Sequence, residues 1–268
     1  MLDSPYIVEP GKKVRLPDWP TDDKGDFKDR EEAEEKVAKH LKRLSELQYL
    51  MYAEARHALL IVFQAMDAGG KDGAIAHIFS GVNPQGCVVS SFKAPSTLEQ
   101  SHDFLWRIHK DVPPRGIIGI FNRSHYESVL VERVKDLVPE KVWSRRYDTI
   151  NDFERMLTDE GTVILKFYLH ISKDEQKRRL AARLADPDRN WKFSVNDLKE
   201  RVFWKEYQEA FEDLLSRCST KHAPWVIVPS DRKWFRNWVV SDLIVRTLEK
   251  LDMKFPKPAP GIEKVKID

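Results

Sequence analysis

The chain of 268 residues has only two cysteines, Cys87 and Cys218, far apart and in no ligand-like spacing. That excludes a disulfide framework and a cysteine-built zinc site, and it points to a reducing compartment, the cytoplasm. No apolar run approaches the roughly 18 residues needed to cross a bilayer, and the opening Met1-Leu2-Asp3-Ser4-Pro5 lacks the basic and apolar segments of a secretory leader. No membrane partner is expected. Glycine is scarce, 11 residues, and proline numbers 15, which excludes collagen-like and low-complexity classes. An excess of charge is missing too: 45 Lys and Arg face 43 Asp and Glu, a formal net charge of +2. A protein coated in positive charge for nucleic acid, or one with an acidic disordered tail, would not balance in this way.

The length is enough for one large domain with a sizeable core. Residues 1–29, rich in Pro, Gly, Asp and Lys, read as an irregular arm. Over 30–57 the spacing of Val37, Leu41, Leu44, Leu47 and Leu50 predicts a helix. Beyond 255 the run Pro256-Lys257-Pro258-Ala259-Pro260-Gly261 cannot continue a helix, so 255–268 is expected to be an extended tail. Between these ends lies a core over 58–254. Short apolar runs at 58–64, 86–92, 116–121, 162–171 and 225–228 have the length and composition of buried strands. Helical patterns fall at 74–80, 98–110, 127–137, 174–184, 195–215 and 234–251. Strands alternating with helices imply βαβ units and a parallel five-stranded sheet covered on both faces. Ligands of such sheets bind at the carboxyl ends of the strands, which directs attention to the loops leaving those ends.

The first strand runs into Gln64-Ala65-Met66-Asp67-Ala68-Gly69-Gly70-Lys71-Asp72-Gly73. Strand, glycine-rich loop with lysine, then helix is the arrangement of a phosphate-binding loop. Gly69, Gly70 and Gly73 let backbone amides turn toward an anion, while the helix N-terminus and Lys71 supply positive charge. Gly70-Lys71 fits G-x-x-x-x-G-K-[ST], but Ala65 stands for the first glycine and Asp72 for the hydroxyl that would hold Mg²⁺. Asp67 is the candidate metal ligand in its place. The rival reading is a glycine-rich surface turn with a solvated acid and lysine.

The strand at 116–121 is followed by Asn122-Arg123-Ser124-His125-Tyr126-Glu127. Asn122 stands where phosphate-loop proteins often carry an acid near the metal. It can orient a metal-bound water but cannot neutralise a cation. Arg123 offers a fork of donors suited to phosphate oxygens. As an alternative, Arg123 and Glu127 form an ordinary surface pair one helical turn apart. His125 has no second histidine at ligand spacing, which favours a core or surface role.

Cations crowd between 166 and 205, with Arg179 and Arg183 four apart on one helix face, a break at Asp186-Pro187-Asp188, and Trp191-Lys192-Phe193 before a second helix capped by Ser194. A helical hairpin carrying such cations beside a phosphate loop reads as a lid over about 173–205, able to bring charge to a phosphate and exclude water. Interleaved Asp174, Glu175, Glu200 and Glu206 allow a plain solvated face instead.

Taken together, these segments resemble the polyphosphate kinase 2 family, over nearly the whole chain. The resemblance is carried by the loop 64–73, by Phe121-Asn122-Arg123-Ser124-His125-Tyr126-Glu127 and by Leu165-Lys166-Phe167-Tyr168-Leu169-His170-Ile171-Ser172-Lys173-Asp174-Glu175-Gln176. Trp191-Lys192-Phe193 and Pro229-Ser230-Asp231-Arg232-Lys233-Trp234-Phe235-Arg236-Asn237 complete it. It implies a P-loop kinase-like, three-layer αβα fold similar to thymidylate kinases, with a helical lid, in one domain over 1–268. It also implies phosphoryl transfer between inorganic polyphosphate and adenine nucleotides, with Mg²⁺, or Mn²⁺ in its place. By position, Asp67, Lys71 and Arg123 are the catalytic set, Asp67 also holding the metal. Gly69, Gly70, Gly73, Arg179, Arg183 and Lys192 take phosphate and polyphosphate, and Asn122 and Glu127 the nucleotide.

Asn122 with Glu127 looks like the subgroup called class III, which accepts both AMP and ADP. That pattern leads one to expect an acid at 128, where this chain has Ser128. A homo-oligomer, dimer or tetramer, is expected, with the helix over 30–57 and Trp234, Phe235 and Trp238 as possible interface material, and nucleic acid is not an expected partner. Two rivals stand beside this reading: an ATP-using nucleoside monophosphate kinase on the same fold, and an RNA-binding module built on the basic, aromatic segment around Trp191.

Overall fold

Each of five apolar runs becomes a strand of one parallel sheet in the computed structural model, which describes residues 3–267. Met1 and Leu2 of the arm and Asp268 of the tail lie outside the described residues. In chain order the elements are α1 (Arg30–Glu54), β1 (Ala58–Ala65), α2 (Lys71–Ile78), β2 (Cys87–Ser91), α3 (Thr97–Gln100), α4 (Trp106–His109) and β3 (Ile118–Asn122). There follow α5 (Glu127–Val134), α6 (Glu140–Asp159), β4 (Thr162–His170), α7 (Lys173–Ala185), α8 (Val195–Glu200), α9 (Trp204–Cys218), β5 (Trp225–Pro229) and α10 (Lys233–Glu249). The strand order is β2-β3-β1-β4-β5. β1 is central, and the chain leaves it for β2 and β3 on one side before crossing to β4 and β5 on the other. The topological switch therefore lies at the carboxyl ends of β1, β3 and β4.

Strand residues alternate between two cores. Leu59, Ile61 and Phe63 of β1 and Leu165, Phe167 and Leu169 of β4 pack under α1, α2 and α10. Leu60 and Val62 of β1 and Ile164 and Tyr168 of β4 pack under α5, α6 and α9. Burial on both faces explains why these strands read as unbroken apolar runs. The result is the three-layer αβα sandwich of a P-loop kinase-like fold.

The structure departs from the pattern-based elements in several places. The helix expected over 98–110 splits into α3 and α4, because the Asp103 carboxylate accepts from the Leu105 amide and starts a new turn. The helix expected over 195–215 is interrupted by a 3-10 turn at Arg201–Phe203, where the Arg201 guanidinium donates to Gln176 Oε1 and the Lys173 carbonyl. The 20-residue α6 lies where no element was assigned, although Trp143, Tyr147, Ile150, Phe153 and Leu157 recur at helical spacing.

The arm is irregular but not loose. Tyr6, Val8, Val14, Leu16 and Phe27 are buried, and Ile7 makes an antiparallel bridge to Val226 on the outer edge of β5. Of the aromatic residues considered for an interface, Phe235 is fully buried, and Phe27 makes edge-on contacts with Trp234, Phe235 and Trp238. Phe235 belongs to the core, and Trp234 and Trp238 are partly buried against it.

His170, at the carboxyl end of β4, is buried, which pushes its imidazole down to about 4 against the backbone of Leu16 and Trp19 and the Asp231 carboxylate. An unfolded histidine titrates near 6.5, so the folded chain binds this proton less readily. The stability so gained is complete above about pH 6.5 and is lost as the pH falls toward about 4, on the order of 3 kcal/mol in all. Denaturant unfolding at stepped pH should show that slope, and His170→Asn should make it shallower.

Candidate active site

The loop between β1 and α2 is held by side chains that capture its carbonyls one after another. Lys71 Nζ donates to Ala65 O at 3.0 Å, and Gln176 Nε2 to Asp67 O at 2.8 Å. Arg179 Nη1 donates to Ala68 O at 3.2 Å and to Gly69 O at 2.9 Å, while Arg236 Nη1 donates to Gly70 O at 3.2 Å. Every peptide bond described is trans, so an amide points opposite to the carbonyl it shares a plane with. Turning these carbonyls inward turns the amides of Ala68, Gly70 and Lys71 the other way. Those amides, with Asp72 and Gly73 in the first turn of α2, have no acceptor among the described residues. Together they form an anion cradle at a helix N-terminus.

The path requires unusual backbone. Ala68 has φ +58° and Gly70 φ +98°. A Cβ on Gly69 would lie 2.5 Å from that of Ala65, and one on Gly70 would strike the Arg236 guanidinium. Gly73, also expected to be a phosphate-loop glycine, has open space where a Cβ would stand and lies within α2, so nothing in its own packing demands glycine.

Asp67, Lys71, Asn122, Arg123 and Glu127 gather at the ends of β1 and β3. Arg123 also has a positive φ, +63°, and its amide donates to Phe63 O at 3.1 Å. Its Nη2 lies 3.1 Å from Asp67 Oδ1. Burial opposes the charge of Arg123, but Glu127 and Asp67 outweigh it and raise the guanidinium above its ordinary value. Lys71 is buried, and that burial, with Arg123 nearby, lowers its ammonium against Asp67, Glu127 and Asp72. Asn122 Nδ2 donates to Asp72 Oδ1 at 2.8 Å, and Gln64 Nε2 to Glu127 Oε1 at 3.0 Å. A cleft of about 730 Å³ opens beside them, bordered by Asp67, Arg123 and Glu127 at one end and by apolar groups such as Phe104 and Leu130 further in. Ser128 is buried, its hydroxyl donating to His125 O at 2.7 Å.

The three lid cations fall in different settings. Arg179 lies beneath the loop rather than over it. Its Nε donates to Glu175 Oε1 at 2.6 Å, and its remaining nitrogens donate to the carbonyls of Ala68, Gly69, Ser230 and Asp231. Arg183 pairs with Asp197 at 3.2 Å, and Lys192 is exposed beside the Trp191 ring. Residues that the pattern did not single out do much of the holding: Gln64, Gln176, Glu175 and Arg236. Arg236 is pushed down to about 10 by burial, with Arg179 beside it, and pairs with no acid among the described residues. All four stand inside the motifs that carry the family resemblance, and that placement is their one signal in the sequence.

No group of three His, Cys, Asp or Glu residues close enough to cage a metal exists among the described residues. A single carboxylate beside an anion cradle instead fits a hard divalent ion completed by phosphate and water.

A central parallel sheet with a glycine loop and a buried lysine between its middle strand and the next helix defines a P-loop phosphotransferase. The family model for polyphosphate kinase 2 matches residues 27–256, and the chain belongs to that family. It is 51% identical over 264 residues to an AMP/ADP-polyphosphate phosphotransferase of Meiothermus ruber, covering 98% of this chain and 99% of that one. It is 47% identical over 271 residues to an ADP-polyphosphate phosphotransferase of Rhodopseudomonas palustris, covering 97% and 94%. The crystal structure of polyphosphate kinase 2 from Arthrobacter aurescens superposes with a TM-score of 0.86 at 39% identity, covering 96% of each chain. No described helix is long and apolar enough to cross a membrane.

The positive φ at Gly70 and the guanidinium packed against it make this position intolerant of a side chain. Gly70→Ala should cost at least about 1–2 kcal/mol of stability, read by denaturant unfolding, whereas Gly73→Ala should cost little.

Proposed function

We propose that this enzyme moves a phosphoryl group from inorganic polyphosphate to AMP and to ADP, giving ADP and ATP, reversibly. The carrying observation is the Asp67–Arg123 pair standing over the buried Lys71, beside a loop whose amides face outward together. The printed activities of the two relatives at 51% and 47% identity agree with it. Phosphoryl transfer needs positioning and charge neutralisation more than covalent chemistry. The loop amides and Lys71 hold the transferring group, and Arg123 neutralises the charge that develops on it. The acceptor phosphate is already an anionic nucleophile, so Asp67 positions rather than abstracts a proton. Asp67 would hold Mg²⁺, or Mn²⁺, which would supply further charge neutralisation for the phosphates. The acceptor nucleotide occupies the 730 Å³ cleft, with Glu127 on its lining and Asn122, bonded to Asp72, beside it.

Arg183 and Lys192 are the lid cations free to take polyphosphate, Arg183 by exchanging its partner Asp197 for a phosphate. Arg179 serves polyphosphate through the loop that it supports. The whole of 1–268 acts as one catalytic domain. We place it in the cytoplasm, where its unpaired Cys87 and Cys218 stay reduced, and as a homo-oligomer, for which exposed Tyr49 and Tyr52 on α1 and Val88 and Val89 on β2 offer apolar surface.

The direct test supplies AMP or ADP with polyphosphate and Mg²⁺, without ATP, followed by separation of the nucleotides. ADP and ATP are expected, whereas no product would favour an ATP-using nucleoside monophosphate kinase. Asp67→Asn should lose turnover far more than nucleotide affinity. Lys71→Met and Arg123→Ala should each raise the barrier by about 2–4 kcal/mol, measured as kcat at saturating substrates.

A further inference from the structure

A second ionic cluster lies wholly inside the molecule, away from solvent and from the phosphate loop. Lys166 sits in the middle of β4 with no exposed surface, and Glu154 of α6 is equally buried. Lys166 Nζ donates to Glu154 Oε2 at 2.6 Å, to the Cys218 carbonyl at 2.7 Å and to the Tyr126 hydroxyl at 2.8 Å, which uses all three of its protons. The Tyr126 hydroxyl in turn donates to Glu154 Oε1 at 2.8 Å, and His125 Nε2 lies 3.1 Å from the same oxygen. With an ionised carboxylate as acceptor, His125 carries its proton on Nε2, which leaves the buried Nδ1 without a partner. Burial works against the charge of Glu154, but Lys166 and His125 outweigh it and hold the carboxyl below its ordinary range, while burial keeps His125 neutral.

We propose that this network is a positioning device for Arg123. Two facts converge on that residue. First, Lys166 of β4 and Glu154 of α6 direct polar groups onto two consecutive residues, His125 and Tyr126, that lie between Arg123 and the start of α5, and the Cys218 carbonyl at the end of α9 holds Lys166 in turn. Second, Arg123 itself sits at φ +63°, a left-handed conformation that a residue with a side chain rarely adopts and that persists only where its surroundings over-determine it.

The network and the Arg123 amide bond to Phe63 O pin the turn on both sides. Stability alone does not account for the arrangement, since a buried ion pair is often matched or bettered by apolar side chains of the same volume. What an apolar filling would lose is direction: hydrophobic contact lets the turn settle in several ways, whereas five hydrogen bonds with defined donors and acceptors fix one. Lys166, Glu154, Tyr126 and His125 are positioning residues that act through Arg123, and the inference rests on the role given to Arg123 above.

A double-mutant cycle tests it, with kcat and KM measured for polyphosphate and ADP, and thermal unfolding followed in parallel. Glu154→Gln should lower kcat by about ten- to a hundredfold with KM for ADP little changed, as expected when a reacting group is displaced. In an Arg123→Ala background the same substitution should change kcat less than about twofold, because the group it positions is gone. An equal fold loss in both backgrounds would mean a general structural role and would overturn this inference alone. If Arg123→Ala by itself left kcat intact, the role of Arg123 would fall and this inference with it. Should Glu154→Gln not fold, the apolar pair Lys166→Met with Glu154→Leu keeps the question open to decision: a folded, slow enzyme is expected, and a folded enzyme at the parent rate would refute the proposal.

Discussion

A planar trans peptide cannot turn its carbonyl one way without turning its amide the other, and the site depends on that constraint. The carbonyls from Asp67 to Gly70 are drawn inward by Gln176, Arg179 and Arg236, three side chains from two helices that follow β4 and β5. The outward-facing amides are the necessary complement. The phosphate loop is thus less a property of its glycines than of a sheet that places α7 and α10 beneath it. Glycine enters where the path passes close to Ala65 and to Arg236, and where φ is positive at residue 70.

The same arrangement explains a distribution of charge that a net of +2 conceals. Arg179 and Arg236 stand side by side under the loop with one carboxylate, Glu175, between Arg178 and Arg179 and none on Arg236. On the other side of the loop, Arg123 and Lys71 face Asp67, Asp72 and Glu127. Positive charge without a matching acid is therefore held under the loop, and two cations face three acids on its other side.

Much of this was legible in the sequence, for physical reasons that differ from element to element. β1, β3, β4 and β5 showed as apolar runs because both of their faces are buried, and the loop showed because glycines and a lysine must follow the first strand to make an anion site. Asp67, Lys71, Arg123 and Glu127 do gather at one place. What escaped was tertiary. α6 has a clear apolar stripe but follows Pro139 without a capping side chain, and so carries no start signal. Arg179 has the helical spacing of a lid cation, yet its direction is set by carbonyls more than 100 residues earlier in the chain. Lys166 and Glu154 are ordinary charged residues in any local window, and only the folded sheet brings them to 2.6 Å.

The arm that bridges to β5 bears on how the chain is made. Tyr6 and Val8 stand early in the sequence, but the backbone groups they pair with belong to Trp225 and Ile227, in the last strand of the sheet. Until β5 exists, the arm has no edge to join, and the side of β4 that β5 will occupy is an open ladder. Closing so long a loop costs more chain entropy than forming a local helix. In the folded chain the arm acts as a clasp on the β5 edge, where an incoming strand could otherwise pair.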